Sequence, residues 1–330
     1  VADALHYLEL TALAARLKAR EISALEVTRA QLDRIDSIDC DLDSYVHVMA
    51  ETAMAEAETA DADIAQGRYR GPLHGVPIAL KDLFWTEGVP TAAGTTFHRD
   101  FRPSEDATVV RRLKNAGAVI LGKAQLTEGA YADHHPLVKP PKNPWNASYW
   151  PGISSSGSAV ATAAGLCFGS LGSDTGGSIR WPCAANGLTG VKPSWGRVSR
   201  HGTFELAATL DHVGPIGRSA ADAGALLGVI AGHDPNDPTS LVDPVPDYLA
   251  AAAQDVRGLR IGVDPAWNSD DVDVATQRML ADTIDAFRAL GADTVNVRFP
   301  DVTQAIADLD AELCGGSCGR SRGDLSRPQG

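Results

Sequence analysis

The chain has 330 residues, 44% of them hydrophobic, and a formal net charge of −13 at pH 7. That length can bury a large core as one α/β domain or two smaller ones, and the acidic balance argues against a broad phosphate-binding surface, because nucleic-acid affinity is chiefly neutralisation of phosphates by cations. No apolar run reaches membrane-spanning length, and the start Val1-Ala2-Asp3-Ala4-Leu5-His6 lacks a basic, apolar secretory layout. The expectation is therefore a cytoplasmic protein with neither nucleic acid nor membrane among its partners.

In chain order, residues 11–20 and 23–36 carry the apolar period of two helices, the second opened by the capping box Ser23-Ala24-Leu25-Glu26. Residues 44–66 read as a third helix, stopped by Gly67. The apolar stretch Val76-Pro77-Ile78-Ala79-Leu80 reads as a buried strand that delivers Lys81 at its end. Residues 106–115 form an amphipathic helix stopped by Gly117, and residues 118–121 are the next strand. A Pro/Lys-rich loop over 136–144 leads into Ser154-Ser155-Ser156-Gly157, residues 159–164 read as a tightly packed helix, and 168–171 as a strand. Residues 259–263, 274–290 and 294–297 have the pattern of a further αβ unit. Such alternation predicts an α/β sandwich with much of its sheet hidden.

The most informative segment is Gly172-Ser173-Asp174-Thr175-Gly176-Gly177-Ser178-Ile179-Arg180. Glycines let the main chain approach a substrate closely, so the turn can aim several amides at a developing negative charge beside the Ser178 hydroxyl. A serine needs a base, and the chain has neither a Gly-x-Ser-x-Gly elbow nor a Ser-x-x-Lys pair. It offers the serine run at 154–156 and Lys81, which sits where desolvation can depress its pKa and free the neutral amine. Asp174 and Arg180 read as an ion pair bracing the loop.

These segments together resemble the amidase signature family. The resemblance is carried by Gly75-Val76-Pro77-Ile78-Ala79-Leu80-Lys81-Asp82, Asn143-Pro144-Trp145-Asn146, Pro151-Gly152-Ile153-Ser154-Ser155-Ser156-Gly157-Ser158-Ala159 and the Ser178 segment. It continues through Gly190-Val191-Lys192-Pro193, Gly196-Arg197-Val198-Ser199, Leu210-Asp211-His212-Val213-Gly214-Pro215-Ile216 and Ile230-Ala231-Gly232-His233-Asp234-Pro235. It implies an α/β/α sandwich with a central mixed β-sheet and a Ser-cisSer-Lys triad. In that triad Ser178 is the nucleophile, Ser154 the relay and Lys81 the base. The amides of Thr175, Gly176, Gly177 and Ser178 form the oxyanion hole, and Ser155, Asp174 and Arg180 lend support. The chain departs from the family in having Ile153 where glycine is usual, and the Ile153–Ser154 peptide bond is expected to be cis.

The same resemblance implies a single domain over 1–313, with N-terminal helices to about 67, a signature core over 71–240 and an αβ part over 241–313. Family members usually continue further, so the C-terminal part is expected to be incomplete, with a sheet edge and pocket left open. The Gly-rich, basic stretch 314–330 is expected to be disordered. The expected reaction is hydrolysis of a small or aryl amide, with esters and carbamates as related substrates and no cofactor or metal. A homodimer is left open as the assembly. The glutaminase-type component of a tRNA-dependent amidotransferase and a truncated, weakly active relative are the competing readings.

Other features have plainer readings. Gly117 to Lys123 has phosphate-loop spacing, but Ala124 stands where a magnesium-binding Ser/Thr is needed. Asp133-His134-His135 reads as an exposed loop, since adjacent side chains rarely converge on one metal, and Asn146-Ala147-Ser148 is a sequon without a secretory signal. Cys40, Cys167, Cys183, Cys314 and Cys318 read as reduced thiols, Cys183 as a packing residue. Trp145, Trp150 and Trp181 suit an aromatic pocket or, equally, the core.

Overall fold

A computed structural model describes residues 5–308; the expected tail with Cys314 and Cys318 lies outside them. The chain falls into two compact units that divide between Ala252 and Ala253, inside the C-terminal αβ part of the expected single domain.

The first unit is built on a mixed six-stranded sheet. Its strands are β1 (Tyr45–Val48), β2 (Pro77–Lys81), β3 (Val119–Ala124), β4 (Ser170–Asp174), β5 (Thr189–Gly190) and β6 (His212–Gly217), in the order β1-β3-β2-β4-β6-β5. β2 runs parallel to both β3 and β4, while β1, β5 and β6 pair antiparallel with their neighbours. Every residue of β2, β3 and β4 is buried, so both sheet faces are covered, which is why these strands read as continuous runs rather than alternations.

Helices α1 (Leu10–Lys18), α2 (Ala24–Leu42) and α3 (Ala50–Ala65) precede or flank the first strands. α2 opens on the capping box, with Ser23 accepting from the Glu26 amide and Glu26 reaching back to the Ser23 amide. It runs past the expected end at 36 to Leu42, where Asp43 in the left-handed region caps it. The expected helix over 44–66 is corrected: Tyr45–Val48 is a strand, and the helix starts only at Ala50. Tyr45, Val46 and Val48 favour extended backbone, and pairing of Tyr45 with Ala124 and of Val48 with Gly122 decides the local contest.

α4 (Thr108–Asn115) precedes β3, and α5 (Ser156–Ala163), made of small residues, lies against β2, β3, β4 and β6. α6 (Arg180–Asn186), α7 (Ala220–Ile230) and α8 (Tyr248–Ala252) complete this unit. One large core of Leu, Ile, Val, Ala and Phe side chains, among them Leu80, Ile120, Phe168 and Leu171, fills the space between sheet and helices.

The second unit contains the parallel pair β7 (Arg260–Val263) and β8 (Asp293–Asn296), joined through α9 (Val274–Ala289). Asp273 caps α9 by accepting from the amides of Ala275 and Thr276. Among the described residues no helix is long and apolar enough to cross a membrane.

Candidate active site

Because β2 and β4 are parallel neighbours, their carboxyl ends open on the same edge of the sheet, the usual place for a ligand in an α/β fold. Lys81 ends β2, Ser173 and Asp174 end β4, and Ser178 stands in the turn that follows. The Lys81 side chain is wholly buried, and its Nζ donates to Ser154 Oγ at 2.7 Å and to Ser173 Oγ at 2.8 Å. Two hydroxyls stabilise an ammonium less than a carboxylate would, so burial dominates and lowers its pKa from 10.5 to about 7, against the opposing pull of Asp174 and Asp211.

Lys123, paired with Leu80 across the β2–β3 register, makes the contrast clear. It is equally buried, but its Nζ lies 3.2 Å from Asp82 Oδ1 and donates at 2.8 Å to both Phe84 O and Thr91 Oγ1. Asp82, the sequence neighbour of Lys81, thus serves the other lysine. The phosphate-loop spacing at Gly117 to Lys123 resolves into strand β3.

The peptide bond Ile153–Ser154 is cis. The serine turn is fastened on three sides: the Thr127 amide donates to Ser154 O at 3.4 Å, the Ser155 amide to Ser178 O at 3.2 Å, and Ser155 Oγ to Ser173 O at 3.2 Å. Ser155 Oγ also accepts from the Ser173 amide at 3.3 Å, so this one side chain holds the turn against β4. Ser178 is 8% exposed. Among the described residues no hydrogen bond joins its hydroxyl to Ser154; the structure brings Lys81 and Ser154 into contact and ties Ser178 to them through its backbone. Catalytic hydrogen bonds commonly close only with substrate in place.

Asp174, wholly buried, organises the turn that carries Ser178. Its carboxylate receives Arg180 Nη2 at 2.9 Å and Nε at 3.0 Å, together with the amides of Gly177 at 2.8 Å, Ile179 at 3.1 Å and Arg180 at 3.3 Å. Burial pushes its pKa up, but the Arg180 and amide bonds outweigh that and hold it below the usual carboxylate value. The Gly177 N–H, one of the four expected oxyanion donors, is directed at Asp174 instead. Thr175 is anchored separately, its Oγ1 donating to Asp211 Oδ1 at 2.5 Å, while Asp211 Oδ2 accepts the amides of Leu206 and Ala207.

The amidase family matches residues 26–315. The chain belongs to the amidase family. It is 57% identical over 290 residues to the "putative amidase AmiD" of Mycobacterium tuberculosis, an alignment covering 88% of this chain and 60% of that protein. It is 47% identical over 288 residues to the A component of the glutamyl-tRNA(Gln) amidotransferase of Anaeromyxobacter dehalogenans, covering 87% and 58%. The structure superposes on native peptide amidase from Stenotrophomonas maltophilia with a TM-score of 0.85 at 35% identity, over 93% of this chain and 65% of that one. The chain thus spans about 60% of the length of these mycobacterial relatives.

Within this member of the amidase family the remaining sequence blocks have structural employment. Asn143 Nδ2 donates to Trp150 O and Ala185 O, and its Oδ1 accepts the Trp145 amide; Asn186 Nδ2 donates to Pro151 O and Pro182 O. These bonds staple the loop before the serine turn to α6. Cys183 packs with Ile179, Ile216 and Leu188, and burial drives its thiol up to about 12. His134 Nε2 contacts Ser156 Oγ and His135 Nε2 contacts Thr96 Oγ1, so the adjacent histidines go to different partners. Two groups were missed in the sequence: Ser173, the second hydroxyl on Lys81, and Asp211, which braces Thr175. The strand expected over 168–171 in fact runs over Ser170–Asp174, which is what brings Ser173 to the sheet edge beside Lys81.

Proposed function

We propose that the chain hydrolyses the C–N bond of a small or aryl amide through an acyl-enzyme on Ser178. The observation that carries this reading is Lys81: a wholly buried amine with a pKa of about 7, within hydrogen-bond reach of Ser154. Ser178 Oγ attacks the carbonyl as Ser154 takes its proton and passes its own to neutral Lys81. The amides of Thr175, Gly176 and Ser178 stabilise the oxyanion. The relay run backwards protonates the leaving amine as the C–N bond breaks, and water, deprotonated by the same relay, cleaves the ester to carboxylate and free Ser178. Ser155, Asp174 and Arg180 hold the turn in shape. No step calls for a cofactor, and the free thiols of Cys40, Cys167 and Cys183 suit a reducing, cytoplasmic setting.

The test is a hydrolysis panel of aliphatic amides, anilides, carbamates and glutamine, run on the chain and on Ser178→Ala. Amide turnover that disappears in Ser178→Ala while the fold persists supports the reading; turnover surviving at full strength removes Ser178 as nucleophile. The amidotransferase component in Anaeromyxobacter, 47% identical, favours a second reading as a glutaminase-type member of a larger complex. Ammonia release from glutamine only when partner proteins are added would select it.

A further inference from the structure

The tryptophans beside the catalytic segments are surface residues: Trp145 is 73% exposed, Trp150 53% and Trp181 48%. Trp145 is employed in the scaffold, its Nε1 donating to Asn186 O at 2.9 Å. Trp150 and Trp181 are not; among the described residues neither indole N–H has an acceptor. Their ring centroids lie 6.3 Å apart with planes at 53°, so the two half-exposed indoles adjoin each other at the surface.

Both indoles are carried by the catalytic segments themselves. The Trp181 amide donates to Gly177 O at 2.7 Å, and the ring lies so close to Gly177 that a Cβ there would stand 2.5 Å from Trp181 Cε2. Gly177 immediately precedes the nucleophile. On the other side, Gly152 (φ +77°) meets Pro182 so closely that a Cβ would lie 2.4 Å from its Cα. The segment running from Trp150 to Ser154 and the one running from Ser178 to Trp181 are therefore in backbone contact. Arg180, the sequence neighbour of Trp181, is committed to Asp174.

We propose that Trp150 and Trp181 form a binding platform for an uncharged aromatic or apolar group attached to the scissile amide. The proposal rests on the amidase reading and narrows its substrate class. Two half-exposed indoles next to the oxyanion turn present π-faces for offset or edge-on stacking.

The test has a binding arm and a kinetic arm. In the Ser178→Ala chain, phenylacetamide is titrated by calorimetry, with and without Trp150→Ala/Trp181→Ala. Expected is saturable binding that weakens about tenfold in the double variant, roughly what loss of one stacked aromatic contact and its buried area removes. In the active chain, the ratio of kcat/KM for phenylacetamide over acetamide falls by a similar factor, and Trp150→Phe/Trp181→Phe restores most of it. Acetanilide in place of phenylacetamide tells whether the group sits on the acyl or the amine side. No binding of either aryl amide to Ser178→Ala, or unchanged binding in the double variant, overturns the platform, as does a substrate ratio that stays constant while both rates fall. If neither amide is hydrolysed, the amidase reading fails on this panel and the titration alone decides the platform.

Discussion

Replacing Lys81 by methionine should make the protein more stable near neutral pH while abolishing turnover, and the gain should disappear as the pH rises. In the folded chain burial lowers the Lys81 pKa from 10.5 to about 7, which corresponds to about 5 kcal/mol of folding stability lost. Methionine removes that cost and also the bonds to Ser154 and Ser173, each worth about 1 kcal/mol. A net gain of roughly 3 kcal/mol follows below about pH 7. The sign of the pH dependence is set by which state holds the proton. The unfolded chain keeps it up to about pH 10.5 and the folded chain only to about 7, so between those values folding releases a proton. Native stability then rises by about 1.4 kcal/mol per pH unit through Lys81 alone. Lys81→Met lacks this slope, so its advantage shrinks from about pH 7.5 upward and reverses above about pH 9. Urea unfolding of both proteins from pH 6 to 10 reads the difference directly, and Lys123, present in both, cancels. A stability gap that stays constant from pH 7.5 to 10 would mean that Lys81 keeps its proton when folded, which refutes its assignment as the base.

Three further outcomes follow from the same geometry. The value of kcat/KM on an amide should rise through about pH 7, as Lys81 loses its proton, and level off above; a flat profile from pH 6 to 9 contradicts a lysine base. Asp174→Asn removes the charge that holds Arg180 and receives the amides of Gly177, Ile179 and Arg180. It should cost on the order of 3 kcal/mol in denaturant unfolding and lower turnover by roughly 10²-fold or more by loosening the oxyanion turn. Gly177→Ala places a Cβ 2.5 Å from Trp181 Cε2 at φ +142°; thermal unfolding should show about 1–3 kcal/mol of destabilisation, and adding Trp181→Ala should return part of it.

Much of the frame was legible because it rests on local rules. The Ser23/Glu26 box at the start of α2, the apolar run that becomes β2 and the small-residue helix α5 all follow from capping, periodicity and side-chain size. The strand at Tyr45 was not legible: four residues beside a long helical period are decided by the partner strand, Val119–Ala124, which lies far away in the chain. Which lysine would be left without a carboxylate was equally hidden. Lys81 precedes Asp82 in sequence, yet side chains of successive strand residues point to opposite faces, and Asp82 reaches Lys123 on the neighbouring strand.

By itself, then, the sequence determined the α/β alternation, the family and the segments from which a site can be built, because periodicity, capping and glycine placement act over a few residues. Tertiary structure alone decided how those segments meet. It set Lys81 against Ser154 and Ser173, turned the Gly177 amide to Asp174, and left Trp150 and Trp181 at the surface. Burial, charge pairing and hydrogen-bond employment depend on neighbours distant in the chain, and those neighbours are chosen only when the sheet is assembled.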